Sequence, residues 1–256
     1  MALLTVPELA TASDPRARIA EAALAVRKRH LRPDERADIE SIEARREQLN
    51  EDRRPVEIRF YEGPDATAAT GETPWRARSE PLGEVCRRAS ASRRKAMRLY
   101  GLVRELAPQR ILEMGTCAGI SGAYQGMALR HNGAGGRMLA LDGAPDLAAV
   151  ASKTYASLGL EWIELRVGPF NETLPGVLTE GPLDYAFVDG QHQEQATLFY
   201  LELLLPFVPQ GLLVFDDIHW SEGMLRAWDR IASDERIALA IDLEGLGLAF
   251  TGEPAG

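Results

Sequence analysis

Long hydrophobic runs are missing from this 256-residue chain, and none approaches the length that a helical membrane span requires. Met1 to Asp14 has neither a basic start nor a sustained apolar stretch, so it is not expected to act as a secretory leader. Cysteine is nearly absent. Cys86 and Cys117 are the only two, too few for a disulfide framework or a cysteine-built metal cluster, and a reducing cytoplasm is the simplest compartment. Lysine is scarce as well: only Lys28, Lys95 and Lys153 among 29 basic residues. Such an arginine bias is read first as genomic, because it marks thermophiles inconsistently. Excess positive charge is lacking too. A formal net charge of −9 counts against a general nucleic-acid binder, whose phosphate contacts need a basic surface. No internal repeat or low-complexity tract is found.

What is present centres on Arg110-Ile-Leu-Glu-Met-Gly-Thr-Cys-Ala-Gly-Ile-Ser121. Ile111 to Met114 reads as a short buried strand, a glycine turn follows, and Ile120 to Leu129 reads as a helix. Strand, glycine turn and helix together make a nucleotide cradle, since glycines admit a ligand close to the backbone and the helix start offers unpaired N–H groups. A dinucleotide fold calls for G-x-G-x-x-G; here three residues separate Gly115 from Gly119, with Gly122 beyond. Glu113-x-Gly115-x-x-x-Gly119 resembles the first motif of class I S-adenosylmethionine (SAM)-dependent methyltransferases, and the resemblance places Glu113, Gly115, Thr116 and Gly119 at the cofactor.

From Arg110 onward strands and helices alternate, which predicts a mostly parallel sheet. Strands are expected near Ile111–Met114, Met138–Leu141, Trp162–Val167, Leu183–Val188 and Leu212–Phe215, with the continuous apolar character of strands covered on both faces. Arg236–Leu243 and Leu246–Thr251, split by Glu244 and Gly245, read as a hairpin. Upstream, Pro15 to Leu31 and Asp34 to Asp52 read as helices. The second is densely charged with a thin apolar stripe, which predicts a surface position or packing in a homodimer. Arg53 to Phe60 is strand-like, and Tyr61 to Pro81 reads as a long loop. Arg87 to Leu106 reads as one helix whose basic first half (Arg87, Arg88, Arg93, Arg94, Lys95, Arg98) is either an anion or acceptor contact or a solvated face.

Candidate site residues follow the strand ends. Asp142 ends the second strand, where a carboxylate accepts hydrogen bonds from ribose hydroxyls or caps the turn that begins at Gly143. Ser121 opens the helix after the glycines, either to hold a carboxylate of the ligand or to cap the helix. Asp189 leaves the fourth strand and Asp216 and Asp217 the fifth, at neighbouring carboxyl ends where open α/β sheets bind ligands. Three carboxylates in one cleft call for a positive charge, and hard oxygen ligands suit Mg²⁺. His192 is suited to accept a proton near neutral pH, or else to serve as a ligand or a plain loop residue. His219 and Trp220 stand ready to wall an acceptor pocket.

The segments D-x-x-F-V-D-G-x-H and V-F-D-D-I-H-W resemble those of the catechol-type, metal-dependent O-methyltransferases and the small-molecule O-methyltransferase group around them. The likeness runs from about Arg87 to Thr251. It implies an α/β fold with a doubly wound, mostly parallel seven-stranded sheet of Rossmann-like methyltransferase type, closed by the C-terminal antiparallel hairpin. A helical N-terminal extension over residues 1–90 would cover the acceptor or form a dimer, and residues 91–256 would bind SAM. The resemblance further implies adenine contacts from Phe170 and Asn171, and a divalent metal on Asp189 and Asp216. Asp217 stands where the family has asparagine, and His192 stands where it has its basic lysine. The expected activity is SAM-dependent methylation of a small-molecule hydroxyl, with His192 and Asp189 catalytic. A metal-independent enzyme, an RNA-hydroxyl methyltransferase and a non-catalytic SAM- or NAD-binding module remain the alternatives.

Overall fold

The structure is a computed structural model and describes residues 3–26, 31–62, 73–133 and 135–253. The chain opens with β1 (Leu3–Thr5), α1 (Val6–Leu9), α2 (Ala17–Ala25) and α3 (Pro33–Glu51). Next come β2 (Pro55–Tyr61), β3 (Trp75–Pro81), α4 (Leu82–Ala89) and α5 (Arg93–Leu106). The alternating part is β4 (Arg110–Met114), α6 (Ile120–Asn132), β5 (Arg137–Asp142), α7 (Pro145–Ser157), β6 (Ile163–Val167) and α8 (Phe170–Leu178). It continues through β7 (Tyr185–Val188), α9 (Glu194–Leu204), β8 (Leu212–Phe215), α10 (Glu222–Ala232), β9 (Ile237–Leu243) and β10 (Leu246–Thr251).

The main sheet runs β1-β9-β10-β8-β7-β4-β5-β6. Strands β6, β5, β4, β7 and β8 are parallel, and β10 lies antiparallel between β8 and β9. The expected seven strands and the C-terminal hairpin are all present. Its turn takes Glu244 and Gly245 at φ 54° and 98°, the backbone that two-residue hairpins favour. β1 is an eighth strand, paired parallel to β9. Three residues at a chain start carry no period, which is why it escaped the sequence reading.

Strand order reverses beside β4, with β5 on one side and β7 on the other, and such a switch point opens a crevice at the carboxyl ends of both strands. Alternate side chains of β4 feed two cores. Ile111 joins the layer containing α5, α6 and α7; Leu112 and Met114 join that of α8, α9 and α10. Helices α2 to α4 pack into the first of these layers, with Ala20, Ile39, Ile42 and Val85 fully enclosed there. The apolar stripe of α3 that suggested a dimer is thus spent inside the chain.

Two other expectations are corrected. Trp75 to Pro81, taken as loop, pairs with β2 over seven positions to form a separate two-stranded ribbon; its alternating arginines and small residues lack the apolar period of a core strand. Residues 63–72 of that expected loop lie outside the described residues. The single helix over Arg87–Leu106 is two helices, because Ser92 caps the start of α5 by accepting the Lys95 N–H at 3.2 Å.

A buried polar chain ties α3 to the domain. The Tyr100 hydroxyl donates to Glu35 Oε1 at 3.0 Å and meets His131 Nδ1 at 2.9 Å, while His131 Nε2 lies 3.0 Å from Asp38 Oδ2. Tyr100→Phe strips one partner from both Glu35 and His131, and a loss of about 1–3 kcal/mol is expected on urea denaturation; unchanged stability would show the chain to be ornamental.

Candidate active site

The turn after β4 is built around one close approach. Gly115 has φ 96°, and a Cβ there would overlap the carbonyl oxygen of Asp189, so only glycine lets the two strand exits lie together. Asp189 N–H in turn donates to Met114 O at 2.9 Å. Glu113 sits beneath the turn with no exposed surface. Its carboxylate accepts from Thr116 Oγ1 at 2.7 Å and Gln125 Nε2 at 3.0 Å, and Ser121 adds a second hydroxyl. Tyr155 OH closes the cluster against Thr116, and a Cβ at Gly122 would strike both Tyr155 OH and Glu113. Gly119 holds the N-cap position of α6; Ser121 therefore does not cap the helix but serves Glu113.

Asp142 accepts the Cys117 N–H on Oδ2 at 2.7 Å and the Ala144 N–H on Oδ1 at 2.8 Å. Both readings of this residue survive, since each carboxylate oxygen keeps a second lone pair for a ligand. Burial pushes its carboxyl up to about 6 despite those two N–H groups. The β2–β3 ribbon reaches over this end of the sheet. Tyr61 OH donates to Gly143 O at 2.7 Å, and a Cβ at Gly143 would collide with the Tyr61 ring. Thr73 meets Asn171 (Nδ2 to Oγ1, 2.8 Å) and Glu172 (2.7 Å), while Gln191 Nε2 donates to Tyr61 O at 3.1 Å. Phe170 starts α8 with its ring edge-on to Tyr200, 5.9 Å between centroids.

At the ends of β7 and β8 the acidic residues do gather, but around a side chain absent from the expected set. Lys95 Nζ, from the first turn of α5, donates to Asp216 Oδ2 at 2.7 Å and to Asp217 Oδ1 at 3.0 Å. The other Asp216 oxygen accepts the Asp217 N–H at 2.8 Å. Burial alone would lower the Lys95 pKa, and the charges of Asp216 and Asp217 outweigh it and raise it. Burial, then the Asp216 charge, push the Asp189 carboxyl well above its ordinary value against the pull of Lys95. His192 Nε2 lies 3.5 Å from Asp189 Oδ1, and its ring centroid is 6.4 Å from that of Trp220. His219 turns away to Asp242 at 2.9 Å.

The expected basic cluster disperses. Arg88 pairs with Glu80, Arg94 and Arg98 with Glu244, and Arg87 donates to the Asn50 carbonyl. Only Lys95 enters the cleft, and its salt bridges span 121 and 122 residues of chain.

Residues 112–218 match the sequence profile of a family described as a methyltransferase domain. A catechol O-methyltransferase of Niastella koreensis is 35% identical over 111 residues, covering 42% of this chain and 48% of that protein. A transmembrane O-methyltransferase of Propithecus coquereli is 35% identical over 128 residues, 48% of this chain and 46% of that one. The chain spans about half the length of these curated relatives. Among solved structures, an S-adenosylhomocysteine (SAH)-bound methyltransferase of Podospora anserina superposes over 94% of this chain and 97% of its own (TM-score 0.61, 18% identity). An O-methyltransferase of Bacillus cereus in complex with SAH covers 64% of this chain and 83% of its own (TM-score 0.55, 23% identity).

Three contributors to the cleft had no usable signal in the sequence. Tyr61 ends β2 and Thr73 lies just before β3, both remote from every motif, and Lys95 was one basic residue among six. Gln191 lay inside a motif without an assigned part. Among the described residues no helix is long and apolar enough to cross a membrane.

Burial, partly offset by the three hydroxyl and amide donors, pushes the Glu113 carboxyl from 4.5 up to about 7. The folded state therefore holds a proton that the unfolded chain releases, so stability is greatest below pH 4.5 and falls as pH rises to 7. Relative to Glu113→Gln, the wild type should lose about 2 kcal/mol between pH 5.5 and pH 8. Denaturant melts of both proteins at the two pH values check this, and parallel behaviour would refute it.

Proposed function

We propose that the chain is a SAM-dependent O-methyltransferase acting on a small-molecule hydroxyl. The observation that carries this reading is the backbone contact at Gly115, which sets the cofactor turn of β4 against the Asp189–His192 exit of β7. The 35% identity to a catechol O-methyltransferase supports it. SAM fits the residues present: Asp142 keeps lone pairs for ribose hydroxyls, while Asn171 and Phe170 border the next strand end. Bound there, SAM supplies a methyl group on a positively charged sulfur.

The protein's own task is to place an acceptor oxygen and take its proton. His192 is the group for the second part. With Nε2 toward Asp189, the ring can receive the acceptor's proton on Nδ1. Trp220, 72% exposed beside His192, offers an apolar face to the acceptor. A small acceptor is favoured over RNA because the arginines near the cleft are held in ion pairs. The proposed cytoplasmic setting rests on the two free thiols, Cys86 and Cys117.

Mg²⁺ was expected on Asp189, Asp216 and Asp217. The described residues hold no group of three His, Cys, Asp or Glu side chains disposed to bind a metal, and Lys95 occupies the oxygens that would have done so. The metal does not fit, and no step is drawn through it.

Calorimetry should give micromolar binding of SAH and no heat with NAD; silence with SAH would defeat the proposal. On a phenolic acceptor found by screening, His192→Ala should lower kcat by about 10²–10⁴ while SAH affinity stays the same. Wild-type turnover in that variant would remove His192 from the chemistry.

A further inference from the structure

We infer that Lys95 stands in for the divalent cation: its ammonium group supplies the positive charge of the acceptor site and makes methyl transfer by this chain independent of metal. The inference rests on the methyltransferase reading above, but it concerns a different part of the cleft.

The geometry is that of a filled site. Lys95 Nζ takes one oxygen from each of the two adjacent aspartates, at 2.7 and 3.0 Å. The second Asp216 oxygen is engaged by the Asp217 backbone N–H, and Asp217 itself is held at φ 52°, the left-handed region. That backbone turns its carboxylate toward the lysine. A dication approaching these oxygens would meet an ammonium at hydrogen-bonding range from both, with like charges repelling in a poorly solvated cleft. To bind, it would have to expel a lysine hydrogen-bonded to both carboxylates.

The departures from the catechol-type pattern agree with one another on this view. Asparagine replaced by Asp217 adds a negative charge. Together Asp216 and Asp217 offer Lys95 two carboxylates, where a metal site of that family would offer a carboxylate and an amide. An ammonium group has three N–H donors in all, and the aspartates take two. The third is available to an acceptor oxygen. There it would do by hydrogen bonding what a metal does by coordination, favouring the oxygen as its proton leaves for His192. Lys95 is placed for this by the Ser92 cap that starts α5, the same break that divides the expected long helix.

The test is metal uptake, read independently of turnover. Mn²⁺ is titrated into wild type, Lys95→Arg, Lys95→Ala and Lys95→Ala/Asp217→Asn, with free Mn²⁺ followed by electron paramagnetic resonance. SAH binding to each preparation is measured by calorimetry. Wild type and Lys95→Arg should take up no Mn²⁺ at millimolar concentration. Lys95→Ala, which vacates the charge, should gain a site at least about tenfold tighter than any in wild type, and the added Asp217→Asn should weaken it again. Stoichiometric Mn²⁺ uptake by wild type would overturn the inference, and so would a Lys95→Ala protein that binds SAH normally yet gains no Mn²⁺ site. Should Lys95→Ala fail to fold, Lys95→Met repeats the comparison, and the wild-type titration decides by itself. Loss of SAH binding in the wild type would instead strike the methyltransferase reading and leave the metal result legible.

Discussion

Everything in the cleft depends on two strand exits being allowed to touch. At Gly115 the chain passes so close to the Asp189 carbonyl that no side chain fits between them, and the backbone takes a sign of φ that glycine alone adopts without cost. This contact sits at the switch point of the sheet, so it joins the half of the fold that shapes the proposed cofactor pocket to the half that carries His192 and the aspartates. Glu113 braces it from below, at the energetic expense of a fully enclosed carboxylate, with two hydroxyls and an amide converging on it.

The second organising element is electrostatic. Asp189, Asp216 and Asp217 crowd the ends of two adjacent strands, and their mutual repulsion has to be answered by something. The sequence reading foresaw that requirement correctly and assigned it to a metal. The structure answers it with Lys95. The need for a cation followed from local spacing at Asp189 and Asp216; its identity depended on a helix more than a hundred residues earlier in the chain, which no spacing rule connects to β8.

That contrast describes the legibility of the whole protein. Strands β4 to β8 were readable because burial on both faces forces continuous apolar runs, and the hairpin was readable from Glu244-Gly245. Asp142, Asp189 and Asp216 could be placed because a carboxylate at the carboxyl end of a parallel strand has few other positions to occupy. The β2–β3 ribbon was not readable in full. Arg76, Ala77, Arg78 and Ser79 face solvent, so their strand state comes from cross-strand pairing with β2 and not from a hydrophobic period. The break before α5 was hidden for a similar reason: Ser90, Ala91 and Ser92 tolerate a helix interior, and it is the capping geometry that stops it. His131 looked solitary in the sequence and proves to be a link between Tyr100 and Asp38.

The short first strand deserves a consequence of its own. β1 lies along Ala240, Ile241 and Asp242 of β9, where an uncovered strand would show a row of free amides and carbonyls to any other chain. β1 is then the edge strand on this side, only three residues long, and the opposite edge is β6. Val167 there is about half exposed, beside Arg166, whose ion pairs with Glu164 and Glu180 line the same border with charge. One margin thus ends in a strand too short to template much pairing and the other is lined with fixed charge, two unrelated solutions to the same hazard of runaway strand addition.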